Sequence, residues 1–230
     1  MILPAKRDTT GRNLLVLFGI LFAALAVNPH HRADWLLENV LVLAILPWLI
    51  WIHLRSPLSR SSIWFIFLFA ALHEVGSHYT YSEVPYEQWW ASITGHSVDE
   101  WPGPERNYFD RLVHFLFGAL LFQPIREGFT RATSLGGFWA GLFSVLALIA
   151  ASTVYELIEW FAASVFGGEL GMAYLGTQGD IWDAHKDIGM AMIGALIAAA
   201  IAAALARRTA SERSAQTTYA NQFRATRSGD

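Results

Sequence analysis

Residues 178–204, QGDIWDAHKDIGMAMIGALIAAAIAAA, decide the fold of this chain. Asp180, Asp183 and Asp187 open the stretch at i, i+3 and i+7, which places them in a narrow stripe of a helix. About twenty uncharged residues follow, and at ~1.5 Å each they can cross a ~30 Å hydrocarbon layer. Acids at the mouth of a membrane helix are costly unless they are paired, protonated or bound to a cation. The stretch therefore predicts a transmembrane helix with a carboxylate site at one end.

The composition agrees with a membrane protein. The 230 residues are 54% hydrophobic, with a mean hydropathy of +0.34. The absence of cysteine excludes disulfides and thiolate metal sites. No segment is basic enough to bind nucleic acid, so we expect membrane lipids as the surroundings and no nucleic-acid partner.

Six apolar segments predict an all-α bundle of six transmembrane helices. Five of them precede the opening stretch, at residues 13–27, 35–53, 63–78, 109–123 and 137–166. The predicted organisation is an N-terminal segment at 1–12, a membrane domain at 13–206 and a disordered polar tail at 207–230. The basic leader and the triplet Ala24-Leu25-Ala26 also fit a cleavable signal peptide, but five further spans favour an uncleaved first helix. Pro124 is expected to end the fourth span.

The long connection at residues 79–108 is aromatic. Seven of its thirty residues are Tyr or Trp, side chains that favour the headgroup level of a bilayer. The segment therefore predicts an interfacial anchor, and a lid over a site is the alternative.

The charges predict the orientation. With both termini in the cytoplasm, twelve of the sixteen basic residues face the cytoplasm and fifteen of the nineteen acids lie at the opposite end. This asymmetry is what the positive-inside rule requires. We expect a multi-pass membrane protein with the predicted site on the extracytoplasmic side.

Histidines and carboxylates gather at the predicted extracytoplasmic end. Three spans each carry a pair three or four residues apart, and such pairs share a helix face: Glu74/His78, Asp110/His114 and Glu156/Glu159. Helical bundles build metal sites from such pairs on facing helices. The predicted metal ligands are His78, Asp110, His114, Glu156 and Asp183, with His73, Asp180 and Asp187 as further candidates. Imidazoles with carboxylates favour zinc, iron or manganese over calcium or magnesium.

Simpler interpretations of the same charges remain open. Asp110 beside Arg111, or Asp187 beside Lys186, also fit interfacial charges without a ligand. A structural salt-bridge network would instead join Glu156 and Glu159 to Arg106 or Arg111.

Three stretches resemble a known family. They are ERNYFDRLVHFLFGALLFQP (105–124), YELIEW (155–160) and GTQGDIWDAHKDIGMAMIGA (176–195), which are similar to the YjdF-like bacterial inner-membrane proteins. That resemblance implies a multi-span inner-membrane protein and carries no activity. A second, looser resemblance is to the core of VanZ-like proteins. It is carried by Asp110-Arg111…His114-Phe115, Glu156…Glu159 and Asp183…Asp187, although Glu159 stands where that core usually has Gln.

The predicted function is a metal-dependent hydrolase or transferase that acts on a lipid, lipid-linked or other envelope substrate. A bound cation would acidify a water, and Glu74 or Glu159 would accept its proton as the catalytic base. The alternatives are a proton- or ion-coupled transporter, in which these groups form a relay, and a non-catalytic envelope protein whose acidic mouth binds a cation.

Overall fold

The computed structural model describes residues 9–96, 106–168, 171 and 175–227, with side chains as far as 214 and at 216. In these residues the protein is all-helical and contains no strand, which confirms the predicted fold class. The helices are α1 (Thr10–Leu25), α2 (Arg32–Arg55), α3 (Arg60–His78), α4 (Tyr86–Thr94), α5 (Phe109–Ala132), α6 (Gly137–Phe166) and α7 (Asp183–Arg227). The predictions for residues 1–8, 97–105, 169–170, 172–174 and 228–230 lie outside the described residues.

Three of the described helices are long and apolar enough to cross a membrane. They are α2, α6 and the part of α7 at Asp183–Ser214, whereas α1 is apolar but shorter. The other two long helices, α3 and α5, carry polar groups in their turns, among them Glu74, Asp110 and Arg126, which lower their hydropathy.

The observed boundaries differ from expectation at two places. The prediction that Pro124 ends its helix was wrong, because α5 continues to Ala132. A membrane helix tolerates the loss of the one backbone hydrogen bond that proline removes. Helix α7 continues through 207–227, a segment whose composition predicts disorder, and its Ala, Arg, Glu and Gln residues favour a helix. Within the aromatic connection, the short helix α4 forms at Tyr86–Thr94.

Many buried side chains are polar, beside two apolar clusters, and many large apolar side chains lie on the surface. On α2, Asp34, Glu38 and Asn39 are buried, while Leu43 and Trp48 are 63% and 58% exposed. Such a distribution costs free energy in water but suits lipid, where apolar side chains need no shelter.

The six long helices alternate in direction between two ends. At one end, which we call the site end, His78 on α3 bonds to the Leu25 carbonyl of α1 over 2.7 Å, and Tyr155 on α6 donates to Glu38 on α2 over 2.9 Å. At the opposite end, Glu127 on α5 accepts from Ser59 at the start of α3 over 2.8 Å.

Exposed aromatic side chains surround both ends. At the site end they are Trp89, Trp90, Trp160 and Trp182, and at the opposite end Trp48, Trp51, Trp64 and Trp139. Aromatic belts of this kind mark the two membrane–water interfaces.

Helix α5 lies at the centre of the bundle and makes its closest approach to α7. A Cβ added at Gly118 would lie 1.9 Å from the Ala191 carbonyl oxygen, and one at Gly194 would lie 2.1 Å from the Phe115 carbonyl oxygen. Each backbone therefore fills the place of the other's missing side chain. This contact fixes α7 against the helix that carries Asp110 and His114.

Candidate metal centre

The aspartates that open α7 are held by arginines. The Arg111 guanidinium lies 2.6 Å from both Asp183 Oδ1 and Asp187 Oδ2, and it donates to Asp180 Oδ2 over 3.1 Å. The Arg106 guanidinium also donates to Asp183 Oδ1. The arginines therefore form a buried network with α7.

The salt-bridge alternative identified the correct cations but the wrong carboxylates. Arg106 and Arg111 pair with α7 and not with Glu156 or Glu159. Each arginine is more than 70 residues from Asp183 in the sequence, so spacing along one helix could not predict these pairs.

Asp180 lies before the start of α7, at the exposed edge of the network. The Lys186 ammonium, 2.6 Å away, donates to its Oδ2 atom, and this hydrogen bond holds the pKa of Asp180 below its usual value. Asp180 is therefore ionised at neutral pH and lies within ion-pair distance of three cations, Arg106, Arg111 and Lys186, which leaves it poorly suited to a metal.

A second group of ligand atoms converges beside this network. Asp110, His114 and Asp187 each offer one oxygen or nitrogen atom, and these atoms lie within 4.8 Å of one another. Glu156 joins them from α6, with its Oε1 atom 3.3 Å from His114 Nε2. The four side chains come from α5, α6 and α7, so the bundle must be assembled before the group exists.

Two carboxylate oxygens of this group lack a hydrogen-bond donor. Asp187 Oδ1 and Glu156 Oε1 are buried and make no hydrogen bond. The Ser152 hydroxyl lies 3.4 Å from His114 Nδ1. With Nδ1 on that side, the Nε2 atom of the ring faces the carboxylates of Asp110 and Glu156. Metal-bound histidines are commonly oriented through the other ring nitrogen in this way. Oxygen atoms without donors around an imidazole nitrogen fit a divalent ion.

The remaining predicted ligands lie apart from this group. His78 Nδ1 is bound to the Leu25 carbonyl, and His73 Nδ1 is 2.6 Å from the Tyr81 hydroxyl. Asp183 is occupied by the two arginines. Asp187, a secondary candidate from the sequence, is the α7 residue that the structure places with His114.

The two predicted catalytic bases are both buried. Glu74 on α3 is fully enclosed and neither of its carboxyl oxygens makes a hydrogen bond. Glu159 lies on α6 one turn beyond Glu156, within hydrogen-bonding reach of the Tyr155 hydroxyl.

Sequence reasoning missed two acids on α2. Asp34 and Glu38 are 1% and 4% exposed and line a small cavity with Asp110 and Glu159. Their i, i+4 spacing near the start of a predicted span was the signal that could have found them.

Acids outnumber cations at the site end. Of the described residues, no lysine or arginine lies within ion-pair distance of six buried or half-buried acids: Asp34, Glu38, Glu74, Asp110, Glu156 and Glu159. A carboxylate is stable in such surroundings only if it is protonated or bound to a cation.

Comparison with known proteins identifies the family. The model of a family described as predicted membrane protein (DUF2238) matches residues 11–208. The chain is 36% identical over 171 residues to the inner membrane protein YjdF of Escherichia coli (strain K12). The aligned region covers 74% of this chain and 78% of that protein. No solved structure matches the chain significantly. With the apolar helices of the structure, these matches confirm the predicted inner-membrane location and the YjdF-like resemblance. This chain belongs to the DUF2238 family of predicted membrane proteins.

Proposed function

We propose that the protein is a metal-dependent hydrolase or transferase of the inner membrane that acts on a lipid or other envelope substrate. The observation that carries the proposal is the convergence of ligand atoms from Asp110, His114 and Asp187 within 4.8 Å, beside Glu156. One imidazole and three carboxyl groups favour zinc, iron or manganese over calcium or magnesium.

The proposed topology has six membrane crossings and both termini in the cytoplasm. It is supported by the alternating direction of the six long helices and by the aromatic belts at both ends. The distribution of basic residues supports an extracytoplasmic position for the site end in this topology. A site at that depth is within reach of lipid headgroups and of envelope precursors.

The residues around the site have separate tasks in this proposal. A divalent ion held there would lower the pKa of a bound water towards neutrality. Glu159 is the better placed proton acceptor of the two predicted bases, because it adjoins the ligand Glu156 and lines the small cavity. Arg106 and Arg111 hold α7, and through it Asp187, in position.

The position of the acids favours an enzyme over an ion-coupled transporter. The acids of the described helices lie at the two ends of the bundle, with Glu127 opposite the site end and hydrogen-bonded to Ser59 and Ser62. A proton or ion relay would need ionisable groups between those ends. A non-catalytic cation-binding protein would share the metal site and differ from the enzyme only in lacking turnover.

Metal binding is the first test of the proposal. The full-length protein, purified in detergent, should contain at least one divalent metal ion per chain by elemental analysis. Its removal with a chelator should lower the free energy of unfolding by RT ln(1 + [L]/Kd), about 2.7 kcal/mol at a hundredfold excess over Kd. His114→Ala should lose this metal, whereas the exposed His185 on α7 offers a matched control, and His185→Ala should keep it. Metal-free protein whose melting temperature ignores the chelator would contradict the proposal.

The topology is tested by accessibility. The chain has no cysteine, so single cysteines can be introduced without a background. In intact cells Thr94→Cys near the site end should react with a membrane-impermeant reagent, and Ser61→Cys at the opposite end should react only after lysis. A reporter fused after Arg208 should be active in the cytoplasm alone. The reverse labelling pattern would place the metal group on the cytoplasmic side.

A further inference from the structure

A small cavity lies next to the proposed metal group and is lined by acids. It has a volume of about 10 Å³ and its walls include Asp34, Glu38, Asp110 and Glu159. A space of that size holds one water or one ion. Asp110 belongs both to this wall and to the group with His114 and Asp187.

The buried polar atoms of the cavity wall have few hydrogen-bond partners. Asp34 and Thr80 are 1% and 3% exposed; their side chains lie within hydrogen-bonding reach of each other, and neither Asp34 Oδ1 nor Thr80 Oγ1 has another described partner. Both side chains line the cavity, and a carboxylate beside a hydroxyl still has oxygen lone pairs that an occupant of the cavity can use. Thr80 and Tyr81 have positive φ angles of 54° and 41°, conformations that only a specific local packing maintains.

The single hydrogen of one tyrosine serves two of the acids. The Tyr155 hydroxyl donates to Glu38 Oε2 over 2.9 Å and is also within hydrogen-bonding reach of Glu159. One phenolic hydrogen cannot stabilise two carboxylates, and among the described residues the cavity walls contain no lysine, arginine or histidine. The wall therefore has an excess of acceptors, which a cation would satisfy.

We propose that this cavity binds a second divalent cation, of the hard, oxygen-liganded class that includes Mg²⁺, Mn²⁺ and Ca²⁺, and that Asp110 contributes to both sites. The ligands are carboxyl and hydroxyl oxygens without nitrogen, the set that such ions prefer. The inference rests on the proposed function only in that the His114 group is taken as the first site. Paired cations that share a carboxylate are a recurring arrangement in enzymes that hydrolyse or transfer groups.

The test is a titration of the full-length, chelator-treated protein with Mn²⁺, which accepts both oxygen and imidazole ligands. Free Mn²⁺ is followed by electron paramagnetic resonance. The wild type should bind two ions per chain, a measurement that needs no variant. Asp34→Asn and Glu38→Gln should each bind one, His114→Ala should bind one, and Asp110→Asn should lose both. Glu83 is exposed at the same end, so Glu83→Gln should bind two, as the wild type does.

The outcomes separate the two proposals. If the wild type binds one ion that His114→Ala loses and Glu38→Gln keeps, the second site does not exist and the cavity holds water. If that one ion is lost in Glu38→Gln and kept in His114→Ala, the cavity site stands and the His114 site is wrong. Two ions that persist in both Asp34→Asn and Glu38→Gln would also overturn the inference. Circular dichroism and gel filtration of each variant show that a loss of binding is not a loss of the fold.

Discussion

Replacing Arg111 by glutamine should lower the free energy of unfolding by about 3–5 kcal/mol, the usual cost of removing one partner from a buried ion pair. The Arg111 guanidinium contacts Asp180, Asp183 and Asp187, and only about a tenth of the arginine side chain is exposed. Without it, Asp187 loses its only arginine partner in the described residues, while Asp183 keeps Arg106. Denaturation of the full-length protein in detergent, followed by tryptophan fluorescence, measures the loss.

Lys186 provides the control for that experiment. It also pairs with Asp180, but its side chain is 54% exposed, so Lys186→Gln should change the free energy of unfolding by about 0–1 kcal/mol. In chelator-treated protein, the double variant Arg111→Gln with Asp187→Asn should recover part of the stability, because it removes the stranded carboxylate. Equal small effects of Arg111→Gln and Lys186→Gln would show that the network contributes little to the fold.

The second large effect is expected at the contact between α5 and α7. Gly118→Ala introduces a Cβ that would lie 1.9 Å from the Ala191 carbonyl oxygen, so the two helices must separate. Overpacking of this kind costs about 1–3 kcal/mol. The separation also moves Asp187 away from Asp110 and His114, so metal affinity should fall together with the melting temperature.

Two other glycines on the same helices provide matched controls. A Cβ at Gly128 on α5, or at Gly189 on α7, meets no described atom within 4 Å. Alanine there should leave both stability and metal binding unchanged, or raise stability slightly through helix propensity. If Gly118→Ala behaved like Gly128→Ala, the close approach of α5 and α7 would not be needed for the site.

The sequence predicted what depends on local pattern. The apolar segments gave the long helices, with α6 found at its observed bounds, because hydropathy and periodicity are properties of one segment. The i, i+4 pair of Asp110 and His114 was found for the same reason. Pro124 misled because the rule that proline ends a helix is weaker in membrane helices.

The sequence could not predict which acids meet which cations. Both Asp183 and Asp187 face the bundle on α7. They share Arg111, while Arg106 pairs with Asp183, and this arrangement depends on how α7 is rotated against α5. That rotation depends on the close contact between Gly118 and Ala191, two residues that lie far apart in the sequence. Glu38 was missed because its partner Tyr155 comes from another helix, 117 residues later.

The arginine network can form only late in the synthesis of the chain. Arg111 is made 72 residues before Asp183, and Arg106 is made 77 residues before it. At a translation rate of about 5–20 residues per second, the arginines wait roughly 4–15 s for their partners. During that interval α5 has a buried-face guanidinium with no α7 carboxylate to bind, and such a side chain prefers the headgroup layer. Because the described carboxylate partners of Arg106 and Arg111 lie at the start of α7 or just before it, the buried network can form only after that helix has been made.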